Sequence, residues 1–475
     1  MDESSDIEVS GDKKPSFKER LKTADFWKGI STVIGAILVN LVAGSIFGVC
    51  TLVVYQISYI KRKDPSNFIT IDHMAFYYPF EIIFQCISSF LSGFFEKKFG
   101  LQLTNLLGFS ILGLGYFIMF LSENFFMDIL SIIVCGIGTG IIHYPSTKNA
   151  CLWFMDNSGF VIGIIETTLS LGSFFFSLLG EAIINYDEIP SREDDLYDLD
   201  VAQNMKTFLA VQIMCVFGVL AISYLLMFIK EEEEEIISKR NTISTYSLSK
   251  KVDYTKKLKA AFKSKKLLLF AIITIFSAQG PSIMFTLYRG IGEYKKIDTG
   301  TLQLIGSLNF IFECLSGVII GIFCDWVNLK ILLLIIGGVS TGLVSTYCLS
   351  FTNNTAFFWY TNLVSFAFGA TFPFNDCFLM KIFGIGIYIE LLGYVSFLTN
   401  LVVCAFSPLA YFVETGLEVK DNAYWILFSI FGGLNFIAFI ITFFIESEPY
   451  DYEEGIILLD DKMDNDNSNY SESEK

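Results

Sequence analysis

A predominantly apolar stretch of about 20 residues, long enough to cross a bilayer as a helix, recurs twelve times in this sequence. The runs lie near residues 30–58, 74–95, 102–121, 125–146, 159–183, 206–229, 267–288, 300–323, 330–350, 355–379, 384–412 and 423–445. A single charged segment, 230–266, interrupts the series at its middle. Away from water only a helix satisfies all its backbone polar groups within one segment, so repeated runs of this length predict a helical bundle. The expected fold is all-α and polytopic, with twelve transmembrane helices in two six-helix pseudo-repeat bundles. An N-terminal segment 1–29 precedes a first bundle, 30–229. A linker 230–266 leads to a second bundle, 267–445, and an acidic tail 446–475. With 53% hydrophobic and 17% charged residues, the chain is too apolar to hide its surface in one aqueous core.

Lysine and arginine set the orientation, rather than the net charge of -16. The head carries Lys13, Lys14, Lys18, Arg20, Lys22 and Lys28, and the linker is rich in lysine from Lys230 to Lys266. Both are expected in the cytosol, which places the tail there too and the acidic loop 184–205 outside. Lys61, Arg62 and Lys63, in the first outer loop, run against this rule. Nothing before the first apolar run has the pattern of a removable signal peptide. The ten cysteines lie mostly singly within apolar runs and without metal spacing, so they are read as reduced packing residues. The expected location is the plasma membrane, with an intracellular vesicle membrane as the alternative.

The two halves repeat. Gly93-Phe94-Phe95-Glu96-Lys97-Lys98-Phe99-Gly100 separates the second and third runs, and Gly321-Ile322-Phe323-Cys324-Asp325 separates the eighth and ninth at an offset of 228 residues. The same offset carries Pro145 onto Pro373. With these loops the chain resembles the major facilitator superfamily, whose loop signature is a glycine, an acid four residues on, a base and a further glycine. The resemblance implies a cytosolic latch in which the acid pairs with bases and helix ends across the seam between bundles. Asp325 takes that position after Gly321. In the first half the acid is Glu96, one place early, followed by Lys97, Lys98 and Gly100.

Within the superfamily the chain resembles the oxalate/formate-antiporter and monocarboxylate-porter branch, and protozoan pantothenate transporters look like members of that wider group. The residues concerned are Gly44 to Gly48, Leu103-Thr104, Gly136-Ile137-Gly138-Thr139-Gly140 leading into Tyr144-Pro145, then Trp153-Phe154, Gly159, Gly163 and Gly172. Gln279-Gly280, Tyr288-Arg289, Gly292, Leu302 and Gly306-Ser307 continue the pattern in the second half. The resemblance implies a secondary transporter, not an enzyme, working without cofactor or metal on a small solute and, in one reading, protons. Oxalate-type members clamp a dicarboxylate between an arginine of the eighth crossing and a lysine of the eleventh. Here those positions fall at Gly317 and near Thr399, a family asparagine becomes Glu313, and no base occurs between Lys381 and Lys420. Oxalate is therefore not expected.

Ionisable groups at membrane depth carry the functional expectation, because an unpaired charge there costs at least ~2.5–3.5 kcal/mol on insertion scales. Glu81, Glu166 and Glu313 qualify, with His143 and Arg289 nearer helix ends. Glu166 leads, because Glu166, Thr168 and Ser170 write a polar face onto the fifth helix where the family is apolar or glycine. It is read either as a proton carrier or as a glutamate hydrogen-bonded to a neighbour. A monocarboxylate such as pantothenate would be oriented by Arg289 with Gln279, Asn40 and Asn309. Alternatively, Glu81, Glu166 and Glu313 would counter a cationic or neutral amino acid. A third reading is a non-transporting sensor or vesicle-trafficking factor, since Glu454, Leu458 and Leu459 form an acidic-dileucine pattern of the kind that adaptor proteins read. Soluble-enzyme readings are excluded by the lack of a phosphate-binding glycine loop followed by Lys-Ser or Lys-Thr and of His-Glu zinc spacing, and no nucleic-acid partner is expected.

Overall fold

The computed structural model describes residues 23–187, 189, 191–192, 196–230, 254–297, 299–416 and 420–452. Residues 71, 72, 75, 286, 289, 293, 299, 300, 303, 307 and 407–421 are described, where at all, by backbone alone. Every regular element among them is helical. The first crossing is α1 (Ala24–Ala43) continued by α2 (Ser45–Lys63) through Gly44. It begins six residues before the apolar run because Thr23 caps it, accepting from the Phe26 amide at 3.3 Å. Then follow α3 (Tyr77–Phe99), α4 (Leu101–Leu121), α5 (Phe125–Trp153), α6 (Ser158–Ile184), a single turn α7 (Leu199–Ala202) and α8 (Asn204–Leu226). Gly100 ends α3 at φ 79°, a left-handed conformation that suits only glycine.

The second bundle comprises α10 (Lys265–Tyr294), α11 (Thr299–Trp326), α12 (Leu329–Ser345), a crossing built from α13 (Asn354–Gly369) and α14 (Thr371–Phe383), α15 (Tyr388–Gly416) and α16 (Lys420–Thr442). Among the described residues, ten helical stretches are long and apolar enough to span a membrane. The 17-residue α12 and the more polar α3 complete the twelve crossings. Large apolar side chains left exposed, such as Leu103, Leu107, Leu114 and Phe117 along α4, form the lipid-facing belt.

Two of the three hydrophobic cores lie one within each bundle. The first gathers residues from Val39 to Met227 and the second those from Ile283 to Phe431. The third joins Ala36, Ala150, Val161 and Ile165 of the first bundle to Ile320, Phe374, Tyr388 and Leu392 of the second. This shared core lies at the membrane face that carries the central linker, called here the linker face. The bundles are thus sealed to one another on that side.

The far face explains the basic triplet that runs against the charge rule. The Lys61 ammonium donates to the Asn67 carbonyl at 2.5 Å, Arg62 donates to the Tyr197 carbonyl at 3.1 Å, and Lys63 pairs with Glu123. These cations are engaged by far-face loops.

The charged linker holds a further helix, α9 (Tyr254–Phe262). It lies across the seam between α3 and α15. Phe262 meets Phe90 of α3 and Tyr394 of α15, and the Tyr254 hydroxyl donates to the Glu390 carboxylate of α15. Burial, with Glu390 beside it, raises the Tyr254 phenol above its usual range. A raised value makes this docking insensitive to pH through neutrality and weakens it only above about pH 10, as the phenol ionises. A hydrogen bond to a charged group contributes about 1.5 kcal/mol, roughly a tenfold change in a local opening equilibrium. Tyr254→Phe is therefore expected to speed tryptic cleavage at Lys256 or Lys257 by up to about tenfold at neutral pH. Unchanged cleavage would show that Tyr254 does not hold α9 down.

Candidate functional site

Helices α6 and α11 form one seam between the bundles, and α3 and α15 the other. At the first, glycines let the backbones touch. A Cβ on Gly163 would lie 2.7 Å from the Gly317 carbonyl oxygen and 2.9 Å from Gly321 Cα. Below this contact Asp325 accepts from the Gly159 and Phe160 amides, each at 2.9 Å, and from the Lys381 ammonium at 3.0 Å. The two amides are the unpaired donors at the start of α6, where a carboxylate also meets the positive end of the helix dipole. Asp325 thus reaches a helix end of the opposite bundle.

The first-half loop behaves differently. Glu96 pairs with Lys148, a residue of its own bundle, at 3.1 Å. Lys97 crosses instead, to Glu390 at 3.6 Å and to the Gly386 carbonyl. One residue of displacement turns a helical side chain by about 100°, which sends Glu96 inward and aims its neighbour at α15. Lys98 stacks near the Phe99 ring, and Gly93 lies against the Glu390 carboxylate.

About 12 Å above the linker-face end of α6, eight residues after Ser158, lies Glu166. Its Oε1 is 2.8 Å from His143 Nε2 of α5, and both side chains are buried. The sequence offered these two as separate candidates; the fold makes them one pair. A carboxylate on one imidazole nitrogen forms a unit that takes up or gives up a proton with little movement. Glu166 also lines a small cavity with Thr167, Ser170, Glu313, Gly317, Gly369, Phe372 and Pro373, about 10 Å³ in volume and so room for one water. Glu313 lies within hydrogen-bonding reach of Ser170 across the seam.

The remaining candidates are scattered. Glu81 is fully buried on α3 with neither carboxylate oxygen hydrogen-bonded. Asn40 and Gln279 donate to carbonyls of their own helices, at 3.0 and 2.6 Å, and each keeps a buried oxygen without a partner. Asn309 accepts from Ser365 at 2.8 Å within the second bundle. Arg289 belongs to α10, and its side chain lies outside the described residues, as do Glu454, Leu458 and Leu459. Three buried acids were missed: Glu390 of α15, the partner of Tyr254 and Lys97, and Asp128 and Asp376. Asp128 of α5 accepts from Gln56 at 3.1 Å and from Tyr77. Asp376 of α14 is buried beside the seam. Asp128 lies three residues from the start of one apolar run and Asp376 three from the end of another, so depth alone does not separate them from boundary residues. Among the described residues no group of His, Cys, Asp and Glu has the arrangement of a metal site.

A family model described as Major Facilitator Superfamily matches residues 68–300. "Apicoplast pyruvate carrier 1" of Toxoplasma gondii is 22% identical over 243 residues, covering 42% of this chain and 44% of that protein. The uncharacterised MFS-type transporter YhjX of Escherichia coli (strain K12) is 23% identical over 154 residues, covering 32% and 37%. The chain therefore matches less than half the length of either relative. Among solved structures, the proton:xylose symporter XylE aligns over 91% of this chain and 98% of its own at 15% identity and a TM-score of 0.64. The E. coli fucose:proton symporter FucP aligns over 87% and 98% at 13% identity and 0.62. The family model matches just under half of the chain, and the likeness to these solved structures shows that the fold is that of major facilitator transporters.

Proposed function

We propose that this multi-pass membrane protein is a secondary transporter that carries a small carboxylate-bearing solute together with a proton by alternating access. The observation that supports this most is the Glu166–His143 pair, buried at membrane depth beside the seam that must part when the linker face opens. A pair so placed can change charge as the cavity changes its access, which is what coupling a proton to a solute requires. The likeness to a pyruvate carrier favours a monocarboxylate. Pyruvate and pantothenate are the first solutes to test, with Arg289, whose helix carries it to the far side, as the base that meets the carboxylate. The Asp325 and Lys97 contacts act as the latch that holds the cytosolic side shut.

One observation favours a second reading. Glu81, Glu166, Glu313 and Asp376 bring four carboxyl groups to the described interior, an arrangement suited to the ammonium of an amino acid. Uptake of labelled pyruvate, pantothenate, arginine and a neutral amino acid into proteoliposomes separates the two. With an inward proton gradient the monocarboxylate is expected to accumulate, and without the gradient to equilibrate only. Glu166→Gln should abolish accumulation while leaving solute exchange measurable. Arginine uptake that ignores the gradient would replace this reading with the amino-acid one. No flux of any solute would leave the sensor or trafficking reading.

A further inference from the structure

Helix α9 carries two chemically distinct sides. Leu258 and Ala261 are buried in the core shared by the two bundles, and Tyr254 and Phe262 pack against it. At about 100° per residue, Lys256, Lys259 and Lys263 fall within an arc of about 60° on the opposite side. Lys263 extends the last turn by one residue, its amide donating to the Lys259 carbonyl at 3.3 Å. All three lysines are exposed, and among the described residues none of them pairs with an acid. Their neighbours are engaged. Lys257 lies 5.8 Å from the centre of the Tyr452 ring, and Lys266 pairs with Glu446 at 3.3 Å.

This basic side lies at the membrane surface. Helix α10 begins two residues after Lys263, with the Ser264 hydroxyl accepting from the Leu267 amide at 3.2 Å, and Leu268 in its first turn is exposed on the lipid side. The edge of the seam that α9 covers also faces lipid, since Leu91 and Phe94 of α3 and Tyr394 of α15 are exposed along it. Phe94 meets the Tyr254 ring at 6.2 Å between centres. Helix α9 therefore stands at headgroup level, with its apolar side inward and its lysines outward, an arrangement that attracts anionic lipid.

The helix also needs such a counter-charge. Nine residues are too few for a helix to hold its shape alone. Spacings of three and four residues set the three ammonium groups beside one another, which weakens α9 further. Next to anionic headgroups the same charges hold it down.

We propose that Lys256, Lys259 and Lys263 form a docking face for the headgroups of anionic lipids in the linker-face leaflet, and that this contact holds α9 across the seam between α3 and α15. The inner side of α9 grips both bundles, through Phe90 of α3 and Tyr394 of α15. Lipid bound on the outer side thus favours the closed linker face. The charge of the leaflet sets how readily that face opens, whatever the solute.

Hydrogen exchange of the purified full-length protein tests this in nanodiscs of phosphatidylcholine with and without phosphatidylserine, the amides of α10 serving as reference. A lysine near an anionic surface is worth about a fivefold change in an equilibrium. The α9 amides of the wild type are therefore expected to exchange about tenfold or more slowly with phosphatidylserine, and high salt should erase the difference. The triple variant Lys256→Gln, Lys259→Gln, Lys263→Gln should exchange at one rate in both lipids. Equal wild-type rates in the two lipids would overturn the proposal. If the wild type is equally protected in both and the triple variant in neither, the counter-charge comes from the protein's own acidic residues and not from lipid. Glycerophosphoserine that protects α9 equally in phosphatidylcholine discs would likewise replace the lipid with a free anion. Labelling of Cys324 by a maleimide from the linker side reads the seam in the same discs, and should slow with phosphatidylserine in the wild type alone. Labelling that ignores the lipid while exchange responds would refute the hold on the seam.

Discussion

Replacing Asp325 with alanine is expected to move the balance between closed and open linker faces by roughly 100-fold toward the open one. The carboxylate is buried at the foot of α11 and accepts from two backbone amides and one ammonium, all at 2.9–3.0 Å. Hydrogen bonds to a charged group contribute about 1.5–3 kcal/mol each. Lys381 is partly exposed and recovers much of its loss by hydration. The amides at the start of α6 recover less, because the helix fixes them at the seam. A net loss of about 3 kcal/mol from the closed state corresponds to the stated shift. Cys324, 2% exposed next to Asp325, supplies the measurement. A membrane-impermeant maleimide applied from the linker side should label it far faster in Asp325→Ala than in wild type, with Cys324→Ser as background. Equal labelling would mean that the glycine contact above keeps the seam shut unaided.

Much of this architecture was legible because a membrane span is a one-dimensional signal. About 20 apolar residues must follow one another wherever the chain crosses, and no partner elsewhere has to be known. The signal fades where the polar surroundings begin. The first helix starts at Ala24 and not at residue 30 because a capping threonine, and not hydropathy, decides its end. Helix α9 was missed inside a segment read as solvated linker, although Tyr254, Leu258, Ala261 and Phe262 recur at helical spacing and form the face it turns toward the bundles.

The site was legible by depth and illegible by direction. Counting along a helix places Glu166 and His143 within the membrane, but the rotation that brings them to 2.8 Å depends on how α5 and α6 pack. The same limit explains Glu96 and Lys97, adjacent residues that reach opposite bundles. Asp376 is the instructive omission. It occupies an apolar run and satisfies the criterion that singled out Glu81, but Asn375 beside it and the helix end seven residues on make it resemble a boundary residue. What distinguishes it is its burial where α14 packs on α6 across the seam, which belongs to the fold.

Gly163→Val is expected to abolish transport while leaving each bundle folded. The contact it would break is one of backbone on backbone. A Cβ there meets the Gly317 oxygen at 2.7 Å and Gly321 Cα at 2.9 Å, and its counterpart on Gly321 meets the Gly159 oxygen at 2.6 Å. Neither partner is a flexible side chain that could swing aside, so α6 and α11 must separate along the seam. Overpacking a well-fitted interface costs about 1–3 kcal/mol when neighbours can adjust, and main-chain atoms on both sides place this variant at the upper end. The strain falls between the bundles, because the core residues Val161, Ile162 and Ile165 on the same helix keep their packing. Thermal unfolding should therefore change little while uptake falls below detection and Cys324 becomes reactive. Gly163→Ala, with the Cβ but no branch, should be intermediate in both labelling and uptake. If Gly163→Val transported normally, the linker face would not need to close on this contact, and the seam that Asp325 spans would have to seal elsewhere. If instead it failed to fold, α6 and α11 would be structural partners and not surfaces that part during the cycle. The ratio of labelling rate to unfolding temperature across the glycine, alanine and valine forms separates these cases.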